Sequence, residues 1–430
     1  MEMLYFDCPF GRIKPARKGR NFSMKKFAIS GWYRGDVHLH NVDIKKHVAM
    51  WQELGLTVAM SPYYRLEQKD EVLALLDDCH ARGMKLILCD IRTRWKALTE
   101  HGEAAFRKML GEAIADFGAH PALYGFYVGD EPTMQERPDA ALAVKIHLEL
   151  APHLTPYLNF LPYLDCVMRH FDHAPLEDYL GSFVEESGTK LLSYDCYRQM
   201  YEGDSAYDDY FTNLRIYAET FQKTGVPFWN TVLVTGHWGY RCPSKRDMQW
   251  QLASSVAMGA KGVSWYCLFS GNISSTMENY PINMLGEKTR EYYWFRDVNT
   301  LFQHCYGELF NEYDIDCFYH VNKAYGGVPA FRSFGEIEAI TSTQPLILSR
   351  FRNKKGEEIY VVCSNTPFEV AELSTTFSDG YRIERIINPG VFAPVGTKRD
   401  PLGNASGAVG QTVSEFLAPG QMSVYRTVKL

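Results

Sequence analysis

Two adjacent carboxylates, Asp130 and Glu131, end the apolar run LYGFYVGDE (123–131), and Pro132 follows at once. Neighbouring side chains on a strand point to opposite faces, so two acids at the end of a core strand put at least one of them towards something other than bulk water. Paired carboxyls in such a place suit acid–base chemistry. One is kept protonated and donates, while the other is ionised and attacks or activates water. The same residues also fit a plain turn in which Pro132 ends the ladder. A third acid, Asp195, closes the run KLLSYDCY (190–197), and a fourth, Asp90, stands beside Arg92 and Arg94, where a salt bridge is the stronger reading.

The elements that must position these acids recur regularly. Short strand-like runs occur at FAISGWY (27–33), TVAMSPY (57–63), KLILCDI (85–91), LYGFYVGDE, TPYLNF (155–160), KLLSYDCY, PFWNTVLV (227–234) and GVSWYCLF (262–269). Helical patterns separate them. Phe106, Leu110, Ile114 and Phe117 form one apolar stripe, Ser244 with Asp247 forms a capping-box start, and Gly83, Gly188 and Gly225 close helices before the next strand. Eight strands alternating with helices predict a (β/α)8 TIM barrel, whose active sites gather at the C-terminal ends of the strands. An open doubly wound sheet would offer a glycine-rich phosphate loop after its first strand, and SGWYRGDVHLHN is not one. From about Glu312 the pattern becomes short and alternating, with a turn at Lys355-Gly356, and predicts a small all-β sandwich. The expected organisation is an N-terminal extension over 1–24, the barrel over 25–305 and the sandwich over 306–430.

Twelve residues at or near the predicted strand ends are expected to contact substrate: Trp32, Tyr64, Asp90, Arg92, Trp95, Asp130, Asn159, Tyr197, Asn230, His237, Trp238 and Trp265. Aromatic faces stack on the C–H faces of sugars, and carboxylates, amides and guanidinium groups bind their hydroxyls, so the set points to a carbohydrate partner. The sequence resembles (β/α)8 glycoside hydrolases of clan A, which place an acid/base glutamate at the end of the fourth strand in an Asn-Glu-Pro context. GDEP stands in that position, with Glu131 matching the glutamate and Asp130 replacing the asparagine. A terminal β-sandwich ending in a phrase such as FLAPGQMSVYRT also resembles such enzymes. The resemblance implies O-glycosyl hydrolysis without a cofactor and gives Glu131 the acid/base role. The clan's nucleophilic glutamate, at the end of strand seven, is missing, because no acid lies between Val226 and Arg246. Asp195, on strand six, is the nearest replacement. Other barrel glycosidases pair carboxylates from strands four and six with the nucleophile on four and the acid on six.

Competing classes are narrowed by composition. A net charge of -6 without a long basic run argues against nucleic acid or an anionic membrane as partner, the short cluster from Arg12 to Arg20 notwithstanding. No apolar stretch reaches transmembrane length. The expected compartment of the chain as written is the cytoplasm, or the periplasm or exterior where an export signal has been removed. Ten scattered cysteines form neither a CxxC pair nor a disulfide framework. DVHLH (36–40) resembles the metal-binding phrase of amidohydrolase barrels, but strands five and six contain no histidine and strand eight no aspartate, so no metal is expected and His38 and His40 read as loop residues. A non-catalytic carbohydrate-binding barrel is the remaining alternative. The sequence sets no oligomeric state.

Overall fold

The computed structural model describes residues 26–33, 43–171, 174–201, 203–269, 277–388, 390–395 and 411–430. The N-terminal extension, His38, His40 and the small-residue loop 403–410 lie outside the described residues. Eight strands, β1 (Ala28–Tyr33), β2 (Val58–Met60), β3 (Lys85–Leu88), β4 (Leu123–Asp130), β5 (Tyr157–Phe160), β6 (Leu192–Asp195), β7 (Phe228–Leu233) and β8 (Gly262–Phe269), form one parallel sheet in the order β1-β8-β7-β6-β5-β4-β3-β2. Its two ends meet through Thr57. The Thr57 amide donates to the Ile29 carbonyl at 2.9 Å, and the Ile29 amide donates to Thr57 Oγ1 at 2.9 Å. The chain is a (β/α)8 barrel followed by antiparallel β-sheets.

The helical layer comprises α1 (Ile44–Glu53), α2 (Lys69–Ala81), α3 (Trp95–His101), α4 (Glu103–Phe117), α5 (Arg137–Leu150), α6 (Leu176–Ser187), α7 (Asp204–Thr224), α8 (Lys245–Ala257) and α9 (Arg290–Phe302). On α4 the apolar stripe turns inward, with Phe106, Leu110 and Phe117 buried. The start of α8 is a capping box: Ser244 Oγ accepts from the Asp247 amide and the Asp247 carboxylate accepts from the Ser244 amide at 2.8 Å. Gly188 and Gly225 are the left-handed caps of α6 and α7, where a side chain would be strained.

Strand alternation divides the sheet into two faces. Trp32, Val58, Met60, Ile87, Cys89, Tyr127, Tyr157 and Trp229 fill the barrel interior, while their neighbours along the strands pack on the helices. The interior is therefore a packed floor, and the open end is the C-terminal one.

Beyond α9 the strands β9 (Tyr313–Val321), β10 (Ile337–Ser342), β11 (Leu346–Asn353), β12 (Glu358–Ser364), β13 (Ala371–Phe377), β14 (Tyr381–Asn388), β15 (Val391–Pro394), β16 (Gln411–Leu417) and β17 (Met422–Lys429) make a six-stranded sheet, β9-β11-β12-β17-β14-β15, and a three-stranded sheet, β10-β13-β16. Leu348, Tyr360, Leu373, Phe377 and Tyr425 form a core of their own. The sheets dock on α8: Trp250 Nε1 donates to Asn365 Oδ1 at 3.2 Å, and the turn of FLAPGQMSVYRT lies on Trp250 so closely that a Cβ at Gly420, φ 66°, would sit 2.5 Å from its backbone. The described cysteines are free thiols. No helix among the described residues is long and apolar enough to cross a membrane.

Candidate active site

The end of β4 departs from regular strand geometry. The register against β5 shifts between Tyr127 and Gly129, and a Cβ at Gly129 would stand 2.2 Å from Trp95 Nε1, so the backbone runs against the indole where only glycine fits. Two residues on, Glu131 has φ 49°, a left-handed conformation that costs a non-glycine residue roughly 1–3 kcal/mol. The Glu131 amide donates to the Asn159 carbonyl at 2.8 Å, which anchors this turn to β5. Regular alternation would send Asp130 and Glu131 to opposite faces. The bulge and the left-handed turn instead bring both carboxyls into one cleft at the C-terminal end of the barrel.

Asp195, at the end of β6, completes the group. Asn159, on β5 between the two acid-bearing strands, donates through Nδ2 to Asp195 Oδ1 at 2.7 Å and to Asp130 Oδ1 at 3.1 Å. The Glu131 and Asp195 carboxyls are close enough to share a hydrogen bond. Asp130 and Glu131 reach solvent through the cleft yet are ringed by protein, whereas Asp195 is 8% exposed. Desolvation, then repulsion from Glu131 and Asp130, pushes the Asp195 carboxyl well above the usual aspartate range. Desolvation also raises Glu131, but the hydrogen bond with Asp195 works in the opposite direction. Both carboxyls are thus raised, Asp195 the more strongly, in keeping with its deeper burial. Desolvation and Glu131 raise Asp130 to about 7.

The cleft has a volume of about 450 Å³, and no lysine or arginine is among the described residues lining it. Its walls include Trp32, Tyr197, His237, Trp238, Tyr240 and Tyr266. Tyr197 and Tyr266 stack at 5.8 Å, and the His237 ring lies 5.2 Å from those of Tyr240 and Tyr266. Trp238 stands at the rim, 78% exposed, with φ 53°. Past Asp130 a smaller recess of about 140 Å³ is lined by Trp32, Tyr63, Tyr127 and Tyr266 among others. Arg94 lies behind it, over the rings of Tyr63 and Tyr127 at 5.9 and 5.8 Å.

The cleft thus gathers Trp32, Asp130, Glu131, Asn159, Asp195, Tyr197, His237 and Trp238, and leaves out six residues expected at the site. Asp90 is fully buried. It accepts from Arg92 Nη2 at 2.7 Å and from the Tyr64 hydroxyl, while Arg92 also reaches Asp116 at 2.8 Å, so Tyr64, Asp90 and Arg92 satisfy one another. Trp95 is spent behind Gly129. Asn230 faces the helices and donates to Ser255 Oγ of α8 at 2.9 Å, and Trp265 packs edge-on against Phe295 of α9 at 5.0 Å. Both err by one position on a strand. Of the adjacent pair Trp265 and Tyr266, and likewise of Tyr63 and Tyr64, it is Tyr266 and Tyr63 that face the barrel mouth. Tyr240 comes from the loop after β7, where no periodicity marks it.

Among the described residues no acid replaces the missing strand-seven glutamate at that position. Met277–Glu278 pairs with Gly236–His237 beside the end of β7, but the Glu278 carboxylate accepts from Cys242 Sγ at 3.5 Å and does not line the cleft. Among the described residues no group of three or more His, Cys, Asp or Glu side chains is arranged to hold a metal ion.

No protein-family model matches the sequence, and no curated protein matches it. Solved structures do resemble the fold. A GH42 β-galactosidase from G. stearothermophilus superposes with a TM-score of 0.60 at 8% identity, covering 94% of this chain and 98% of that one. A glycoside hydrolase of family 5 from Bacteroides vulgatus ATCC 8482 gives 0.56 at 10% identity, over 94% and 89% of the two chains. A cold-adapted β-galactosidase from Rahnella sp. R3 gives 0.52 at 11% identity over 69% of this chain, which spans 58% of that enzyme's length. The protein has the fold of the glycoside hydrolase (β/α)8 barrels.

Proposed function

We propose that the protein is a glycoside hydrolase that cleaves an O-glycosidic bond of an oligo- or polysaccharide between Glu131 and Asp195. The observation that carries this reading is the contact of these two carboxyls, from strands four and six, in an aromatic-walled cleft at the C-terminal face of the barrel. No lysine or arginine is among the described residues lining the cleft to balance these acids, and perturbed acids cluster where they are used. Asp195, the more strongly raised of the two, donates a proton to the leaving oxygen. Glu131, ionised and held forward by its left-handed turn, attacks the anomeric carbon or activates water. This order reverses the one implied by the clan A resemblance and matches the barrels that carry the nucleophile on strand four. Trp32, Tyr197 and Tyr266 supply stacking faces, and Asp130 accepts from a sugar hydroxyl.

The test is hydrolysis of a panel of aryl glycosides and natural oligosaccharides by the wild-type chain and by the Glu131→Gln/Asp195→Asn double variant. Cleavage of at least one glycoside by the wild type, lost in the double variant, supports the proposal. Saccharide binding without cleavage would move the protein to a carbohydrate-binding barrel, the reading favoured by the acid-free loop after β7.

A further inference from the structure

Asn159 lies directly between the two acid-bearing strands, opposite Asp130 on one side and Ser193 on the other. Its amide is fully used. The two Nδ2 hydrogens go to Asp130 and Asp195, at 3.1 and 2.7 Å, and Oδ1 accepts from Ser193 Oγ at 3.0 Å. Ser193 has only one hydrogen to give and gives it to Asn159, so in the contact of 2.9 Å between Ser193 Oγ and the Tyr157 hydroxyl it is Tyr157 that donates. This chain of donors has one consistent direction. A flipped amide would set Oδ1 against the Asp130 and Asp195 carboxyls and deprive both of their amide donor. Ser193, Asn159 and Tyr157 are all buried.

We propose that Asn159 is a positioning residue, oriented by Ser193: by placing one amide hydrogen on Asp195 Oδ1 and the other on Asp130 Oδ1, it fixes how both carboxyls are presented to the cleft. The inference rests on the glycosidase reading only for what the carboxyls are used for. It changes the part of Asn159 from sugar contact to support of the acid. The groups that act on Asp130 are Glu131, Asp195, the Arg94 and Lys96 cations and the phenols of Tyr63, Tyr127, Tyr157 and Tyr197. Those around Asp195 are Glu131, Asp130, Cys196, Tyr194, Tyr197, Tyr217 and Tyr240. Asn159 is the donor that favours the ionised form of both aspartates.

Titration of carbon-13-labelled aspartate carboxyls in the full-length chain tests this without substrate, and kcat and KM on a cleaved glycoside are read beside it. In Asn159→Ala both Asp130 and Asp195 should titrate at higher pH. The basic limb of the rate profile should follow, and kcat should fall about ten- to a hundredfold with KM little changed, the range of a lost hydrogen bond to a charged group. Ser193→Ala should move the same quantities in the same direction by less, and it carries the test if Asn159→Ala does not fold. Unchanged titrations in the folded variants overturn the inference, as does a rise in KM at constant kcat, which would make Asn159 a substrate contact. Shifted titrations in a protein that cleaves no glycoside would leave the positioning role standing and remove the glycosidase reading alone.

Discussion

The Asp195 and Glu131 carboxyls, carried by strands six and four on either side of β5, come within hydrogen-bond reach of each other, and Asp195 is the more deeply buried of the two and the one pushed further above the usual carboxyl range. The two acids are therefore unequal before any substrate enters, and the inequality predicts how their variants fail. A general acid matters most when the leaving group needs a proton, and its removal typically costs on the order of 10²- to 10⁴-fold. Asp195→Asn should lose that much on a natural glycoside and far less on an aryl glycoside with an acidic leaving group. Glu131→Gln should lose comparably on both. Steady-state rates of the two variants on the two substrate types decide the matter, and the opposite pattern would return the acid role to Glu131.

Stereochemistry follows from the same contact. Inverting enzymes keep their carboxyls roughly 6.5 to 9.5 Å apart to admit a water, whereas retaining enzymes hold them about 5 Å apart around the anomeric carbon. Side chains in hydrogen-bond contact need only part slightly to reach the shorter spacing. Retention is expected, and proton NMR of the first-formed anomer reads it directly. Inversion would show that one of the two carboxyls is not a catalytic group.

The barrel is legible in the sequence because its strands are short apolar runs bounded by helical patterns. All eight runs contain a strand, and the capping box at Ser244 starts α8 where its spacing predicts. The site is legible only to within one residue. At a strand end a shift of one position exchanges the cleft for the helical layer, which is why Asn230 and Trp265 read as contacts while Tyr266 does the facing. The adjacent acids were ambiguous for a deeper reason. Their common direction depends on the close approach of Gly129 to Trp95 and on the left-handed Glu131, and neither is a periodic property. Asp90 went the way its neighbours indicate, into an ion pair with Arg92.

Asp130 links the site to stability. Desolvation and Glu131 raise its carboxyl to about 7, against 3.8 for a free aspartate. The folded protein binds a proton there more tightly than the unfolded chain, so the group lowers stability as pH rises. The loss is absent below about pH 4, grows up to about pH 7 and is complete above it. Asp130→Asn removes the titration while keeping an oxygen for the Asn159 amide. Thermal unfolding should give matching Tm values for wild type and variant near pH 4, with the variant increasingly ahead towards pH 7 and a constant gap beyond. A gap independent of pH would mean that Asp130 titrates normally.

Trp238 offers the sharpest separation of binding from folding. Its indole is 78% exposed, its ring lies 5.1 Å from that of His237 at the rim of the cleft, and its φ of 53° is unfavourable for a bulky side chain by roughly 1–2 kcal/mol. Exposure leaves little apolar area to stabilise the fold, so packing does not account for an aromatic residue in this conformation. A stacking face for a sugar ring would. Asparagine tolerates the left-handed region, and Trp238→Asn should keep or raise Tm because it relieves strain at small cost in buried surface. The same substitution removes the platform. An aromatic contact of about 0.5–1.5 kcal/mol corresponds to a rise in KM for oligosaccharides of roughly three- to tenfold with kcat nearly unchanged. A fall in Tm with unaltered KM would instead assign Trp238 to the fold.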